Sequence, residues 1–515
     1  MAKATGKLRG HIMNTVTDSP TISTLDRRLH LFLVFTYLAV AFRLWIMPLG
    51  SSFWIDETLT YWNVMKGVSE VFTRSAACSG QFQLYMLITA LSAKFFGLSE
   101  IGLRLPSVVA SLLSTWLMFR IAQRFSDTET GIFAAILFVC FPEIALFSIS
   151  ARPYSLVILC SLLAVWQLVK LHDTGKWRHL AGYTTAAAMM FYMHYITAPF
   201  LLVLVLYSIL HHKRGDATTN KRAVLAHTLL FITISPLIFI ILGSGKDNPS
   251  LSTSGTPNIH HFVSAIITDY VKFILFSVLA CKIFLRIKIH EFTCLYSRYG
   301  RFILVWLLMQ ISALYILSVF TEYKLFLFKY YVISYPALVL FLAAAIQKIR
   351  KNMFRYMLLL SSCIVAISIS GGITATPMED WRGALTKVNA MAEATQIPLL
   401  FNSGLVETLQ PGWELQNASD HLLCPLSAYP VNTRVVALPV ALNEKSRPYL
   451  ETHIAKEISS FKKFIVVLRV GSDSGAVDKW INEYTRPLGF VRSEVGSFRG
   501  VLVVLYEQKN LWLRE

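Results

Sequence analysis

Apolar residues gather into twelve segments over the first 371 positions, at about 31–48, 82–97, 104–122, 131–149, 153–171, 179–194, 196–210, 223–243, 262–285, 302–320, 326–347 and 354–371. Most approach the ~20 residues that a helix needs to cross the hydrocarbon core of a bilayer. The pattern predicts a polytopic α-helical membrane protein. Segment 82–97 (FQLYMLITALSAKFFG) stands apart: it has 16 residues and Lys94 interrupts it. It reads as a helix lying in the membrane interface. From residue 372 the pattern changes. "DWRGALTKVNAMAEA" alternates as a polar helix, and "IPLLFN", "TRVVALP", "FKKFIVVLRV" and "GVLVVLYEQ" are strand-like. These predict a small α/β unit over 372–515.

Composition agrees with a membrane chain. It is 55% hydrophobic and 15% charged, where soluble proteins carry about 25% charged residues. The net charge of +18 is unevenly placed: residues 1–371 hold 33 basic against 15 acidic residues, and the remainder holds 15 of each. A basic excess confined to the membrane part argues against a nucleic-acid partner and for topology, because cytoplasmic loops accumulate Lys and Arg.

Charge then fixes the count of spans. Basic clusters lie at Arg120/Arg124, Lys170/Lys176/Arg178, Lys213/Arg214/Lys221/Arg222, Lys282/Arg286/Lys288/Arg298/Arg301 and Lys348/Arg350/Lys351/Arg355. If segment 82–97 does not cross, every cluster falls on one side together with the basic tail 1–30, and this accounts for 23 of the 33 basic residues. The expectation is 11 spans over 31–371, a cytoplasmic tail at 1–30, a long first exoplasmic loop at 49–103, and an exoplasmic 372–515 unit. The first apolar run is long enough to span, so it reads as an anchor and not as a cleaved signal.

Seven cysteines contain no CxxC pair and no zinc or thioredoxin spacing. Cys78 and Cys424 fall on the exoplasmic side, where a disulfide between them is one possibility.

Polar residues collect at the outer ends of the predicted spans. The first loop opens with "SSFWIDETLTYW", which sets Asp56 and Glu57 among Trp54, Tyr61 and Trp62. Arg104 closes the same loop. Glu143, Arg152 and Tyr154 flank the second exoplasmic turn, His194 and Tyr195 the third, and Lys329 and Tyr330 the fifth. Ionisable groups at membrane depth line a cavity or pair with one another. A carboxylate can take the proton of an attacking hydroxyl, and Arg or Lys can hold a phosphate leaving group. Aromatic rings can stack on a sugar. Each residue also has a bland reading: a solvated acid pair, an aromatic belt, a span-end anchor or a snorkelling lysine.

In order, "FWIDETLTYW", "LITALSAKFFGLSEIGLRLPSVVASLL", "ARPYSLVILCSLLAVW", "MHYITAPFLLV", "LFKYYVISYPALVLFLAAAI" and "MEDWRGALTKV" resemble the C-type fold (GT-C) glycosyltransferases of the protein O-mannosyltransferase and aminoarabinose transferase-like superfamily. The resemblance spans roughly residues 31–390. It implies an integral membrane enzyme that takes a sugar from a polyprenyl-phosphate donor and passes it, with inversion, to an envelope acceptor, which is a glycan, lipid or protein. The setting it implies is a bacterial inner membrane with the active face in the periplasm. It places the catalytic base on Asp56 with Glu57 as neighbour or alternate, and donor-phosphate binding on Arg152, Lys329 and Arg104. Trp54, Tyr61, Tyr154, His194, Tyr195 and Tyr330 would line the substrate.

Some relatives hold a divalent metal ion among their acids, so a metal is a possible cofactor here. Two departures stand out. "CSGQFQLY" occupies the place of a His-Pro-Pro or Lys-Pro-Pro element, and Lys329–Tyr330 replaces Arg-Tyr. A transporter or lipid flippase, and a non-catalytic member of the fold, are the competing expectations. The lack of an internal repeat and the location of polar residues at the outer face, not the midplane, favour an enzyme.

Overall fold

The computed structural model describes residues 24–77, 83–212, 216–244, 255–283, 297–374, 377–392, 397–405, 420–471 and 474–508. The N-terminal basic tail up to residue 23 and Cys78 lie outside them, as does the proposed Cys78–Cys424 pairing. Cys424 itself is buried, with its Sγ 3.1 Å from Thr58 Oγ1.

Among the described residues, five helices are long and apolar enough to cross a membrane: Glu100–Phe125, Tyr154–Thr174, Ala217–Ile240, Arg298–Phe320 and Asn352–Ile369. The number rises to eight if each of three bent pairs counts as one span. Shorter apolar helices cover Gln83–Phe96, Tyr195–Leu210 and Val332–Gln347.

Several expected straight spans are broken. The 131–149 segment divides into Thr128–Cys140 and Pro142–Ser148, bent by 66°. Pro142 has no N–H to continue the ladder, and the residue before it is driven out of the helical region, with Phe141 at φ −67°, ψ 114°. The 262–285 segment bends by 65° between Ile259–Ile266 and Asp269–Ile283. Hydropathy averages over a window and does not register such corners. Elsewhere local chemistry fixes a turn: Gly175, at φ 62°, closes the Tyr154–Thr174 helix in the left-handed conformation.

Large apolar side chains point outward from the bundle, among them Phe231, Phe239, Phe276 and Phe320, all more than 60% exposed. In a soluble protein such surface would be a liability; here it is a face for lipid.

The tail builds one five-stranded sheet. β1 (Leu399–Asn402), β2 (Val435–Ala437), β3 (Lys463–Arg469), β4 (Phe490–Phe498) and β5 (Val501–Gln508) lie in the order β2-β1-β3-β5-β4. β1 runs parallel to β2 and β3, and β5 runs antiparallel to β3 and β4. Residues of β3 alternate between two cores: Ile465 and Val467 on one face, Phe464, Val466 and Leu468 on the other. β4, "FVRSEVGSF", lies outside the strand-like runs because polar residues interrupt its apolar ones.

The first of these cores is not made by the tail alone. Trp54, Ile55 and Trp62, from the first loop, pack in it with Trp381, Leu385, Leu399, Phe401 and Val503. The Ile55–Val64 helix is therefore shared: it follows Val34–Gly50 across a 61° bend and packs against the sheet unit. The unit expected at 372–515 thus takes part of its core from residues 54–62.

Candidate active site

The Ile55–Val64 helix carries Asp56 and Glu57 at its first turn. Adjacent residues on a helix point about 100° apart, and here they meet different surroundings.

Glu57 is fully buried. Its Oε1 accepts from Arg104 Nε at 2.8 Å and from the Ala151 amide at 2.6 Å. Its Oε2 accepts from Arg104 Nη2 at 2.5 Å and from the Trp54 amide at 3.2 Å. Arg104 spends its remaining donors on the carbonyls of Pro48, Leu49, Ser51 and Ser52 and on Ser51 Oγ. This pair is a clamp that fixes the approach to the helix. Arg104, expected as a phosphate ligand, is filled by its own chain, and Glu57, expected beside Asp56, faces Arg104 and the 151 amide instead.

Asp56 faces the other cluster. Its Oδ2 lies 2.9 Å from Lys329 Nζ and 3.9 Å from Arg152 Nη2, and Arg152 Nη1 donates to the Asp56 carbonyl at 3.1 Å. Burial pushes the Asp56 carboxyl up, but Lys329 and Arg152, helped by Arg469, outweigh it and hold it at about 2. Asp56 is thus one electrostatic unit with Arg152 and Lys329, which lie 96 and 273 positions away in sequence.

Each partner is held in place. Thr60 Oγ1 donates to the Ala151 carbonyl at 2.9 Å, and Ser107 Oγ to the Ser150 carbonyl at 2.6 Å, which ties the turn before Arg152 to two helices. Buried Gln310 donates to the carbonyls of Ile196 and Tyr330, joining the turn at 195–197 to the segment that bears Lys329.

Four of the aromatic residues come together. The His194 ring lies 5.7 Å from Tyr154, 5.4 Å from Tyr330 and 6.3 Å from Tyr195, and Lys329 Nζ is 5.7 Å from the Tyr330 ring. The group stands beside Lys329, which pairs with Asp56. Trp54 lies apart, packed into the tail core. Tyr61 lies against Phe53, with ring centroids 6.0 Å apart.

Two residues of the tail belong to this neighbourhood and carried no signal in the sequence beyond the quoted "MEDW". Glu379 Oε2 accepts from the Ile55 amide at 2.9 Å, and Glu379 Oε1 accepts from Arg469 Nε at 2.7 Å.

Among the described residues no three His, Cys, Asp or Glu side chains cluster as metal ligands. The two nearest acids do not fit a divalent ion either: Glu57 is saturated by N–H donors, and Asp56 already faces two cations.

The sequence profile of the dolichyl-phosphate-mannose-protein mannosyltransferases matches residues 83–240. The structure resembles ArnT from Cupriavidus metallidurans in the apo state, with a TM-score of 0.55 and 12% identity over 92% of this chain and 98% of that one. The chain has the C-type glycosyltransferase fold. It is an integral membrane protein. ArnT bound to undecaprenyl phosphate matches at TM-score 0.49 and 12% identity, covering 92% of this chain and 98% of that one. The arabinofuranosyltransferase AftD from Mycobacteria matches at 0.47 and 14% identity, with 94% of this chain covering 40% of that one. The fold assignment rests on apo ArnT. No curated protein sequence matches the chain.

Proposed function

We propose that this chain is an inverting membrane glycosyltransferase that moves a sugar from a polyprenyl-phosphate donor to an acceptor hydroxyl at the outer face of a bacterial inner membrane. The observation that carries the reading is the meeting of Asp56 with Lys329 and Arg152 at one end of the helical bundle. The Glu57–Arg104 pair cancels itself, so one acid and two cations leave this cluster with one surplus positive charge. A sugar phosphodiester brings one negative charge, and the departing polyprenyl phosphate carries up to two. The cluster therefore interacts more strongly with the leaving state than with the bound donor, which is the condition for lowering the barrier.

In the reaction the acceptor oxygen attacks the anomeric carbon and its proton passes to Asp56. The bond from that carbon to the phosphate oxygen breaks, and its electron pair leaves with the phosphate toward Lys329 and Arg152. Tyr154, His194 and Tyr330 form the aromatic wall for the sugar. ArnT, whose fold this chain shares, has been solved with undecaprenyl phosphate bound, which supports a lipid phosphate in the same role here. The eleven-span topology, with the N-terminus cytoplasmic and the sheet unit in the periplasm, belongs to this reading and has its support in the basic clusters.

The test is Asp56→Asn in membranes of a deletion strain, supplied with a panel of polyprenyl-phosphate sugars from which the wild type first selects its donor. Transfer should vanish while the protein still inserts and binds polyprenyl phosphate. Undiminished transfer would overturn the assignment of the base.

A further inference from the structure

We infer that Glu379, from the tail, is a positioning residue for Asp56, so that the sheet unit sets the geometry of the active site in the membrane part. This rests on the reading of Asp56 given above. It has its own support in the hydrogen bonds around the start of the Ile55–Val64 helix.

Two consecutive backbone amides precede Asp56, and each is held by a different carboxylate. The Trp54 amide donates to Glu57 Oε2 at 3.2 Å, and the Ile55 amide donates to Glu379 Oε2 at 2.9 Å. The carbonyl of Asp56 then accepts from Arg152 at 3.1 Å. The peptide unit after Asp56 is thereby held from the bundle, and the Trp54–Ile55 unit, one peptide before the Ile55–Asp56 unit, is held from the tail. An error of about 1 Å in the placing of a reacting group costs on the order of a hundredfold in rate.

Glu379 is itself held rigidly. Trp381 Nε1 donates to its Oε2 at 2.7 Å, and Arg469 Nε donates to its Oε1 at 2.7 Å. The next residue, Asp380, caps the following helix by accepting from the Gly383 amide at 2.9 Å. Its own amide points to the carbonyls of Phe498 and Arg499 at the β4–β5 turn. Arg469 reaches Glu379 by crossing Gly404, where a Cβ would stand 2.4 Å from Arg469 Cδ. Glu379 is 7% exposed and both of its oxygens are engaged. It touches no reacting atom, and its effect passes through the Ile55 amide.

The chemistry of Glu379 makes the idea testable. Its carboxylate receives three N–H groups, with Ile55 and Trp381 on one oxygen and Arg469 on the other. A glutamine has one acceptor oxygen and one NH2 group. Whichever way the amide faces, an N–H group meets an N–H group. Glu379→Gln should lower kcat roughly ten- to a hundredfold, while donor KM and binding of radiolabelled polyprenyl phosphate stay within about twofold. Adding Arg469→Met removes the donor on one side and lets the amide oxygen face Ile55 and Trp381. The double variant should regain at least several-fold of the lost kcat over Glu379→Gln alone.

Wild-type kcat in Glu379→Gln overturns the inference. So does a double variant no faster than the single one, or a joint loss of kcat, phosphate binding and folded protein, which marks simple destabilisation. Asp56→Asn is run alongside. If it is inactive while Glu379→Gln is fully active, the inference alone fails. If it is active, the reading of Asp56 as base fails.

Discussion

Lys329 Nζ lies 2.9 Å from Asp56 Oδ2, so the proposed base and a proposed phosphate ligand neutralise each other in the free protein. A carboxylate paired in this way is a weak base, because the cation stabilises its charged form. A donor phosphate that draws Lys329 to itself loosens this pair, and the linkage is reciprocal. Asp56→Asn should therefore bind polyprenyl phosphate roughly three- to tenfold more tightly than wild type. In a Lys329→Met background that gain should disappear. Equal gains in both backgrounds, measured by equilibrium binding, would show general charge repulsion and not competition for Lys329.

The same pair sets a pH dependence. The folded-state carboxyl of Asp56 is held at about 2, below the ~3.9 of an unperturbed aspartate. Its stabilisation is then fully present above about pH 4 and is lost as pH falls toward 2. The difference in Tm between wild type and Asp56→Asn in detergent should be level above about pH 4 and shrink below it. A difference that changes most between pH 5 and 7 contradicts the depressed proton affinity.

Glu57 and Arg104 should behave differently from Asp56. Removing one partner of a buried ion pair leaves the other uncompensated, at a cost of about 3–5 kcal/mol. Glu57→Gln and Arg104→Met are expected to lower yield and Tm sharply, whereas Asp56→Asn leaves the fold intact. Fluorescence-detected size exclusion of tagged variants separates the two classes, and a well-folded, inactive Glu57→Gln would return Glu57 to the chemistry.

Trp54 is expected to act through packing. Its side chain is 8% exposed within the core shared by the loop and the sheet unit, and truncating such a residue costs about 3–5 kcal/mol. Trp54→Ala should reduce thermal stability while the donor KM of the surviving protein stays near wild type. A selective rise in donor KM at unchanged Tm would instead put Trp54 on the sugar. By the same packing, removing the chain from residue 377 onward uncovers Trp54, Ile55 and Trp62. The truncated protein should fail to accumulate in membranes.

The apolar character of the chain, the basic clusters and the short continuous apolar runs of β1, β3 and β5 follow from the residues themselves. Burial against lipid or within a sheet is a property that each segment expresses locally. Asp56 was also legible, as an acid in an aromatic loop at a span end, as were Arg152, His194 and Lys329 at neighbouring turns. What each acid does was not legible. Asp56 and Glu57 are neighbours in sequence, and only the tertiary structure turns one toward Lys329 and the other into Arg104. The breaks at Pro142 and near Thr268 are corners that a hydropathy window averages away, the first of them set by the proline itself. Glu379 is separated from Ile55 by 324 residues, and no local pattern records a contact of that range. Local composition determined that this protein lives in a membrane and where its polar ends gather. Long-range hydrogen bonding and charge pairing decided that Glu57 is held by Arg104 while Asp56 meets Lys329 and Arg152, because that depends on which partners the fold brings within a few ångströms.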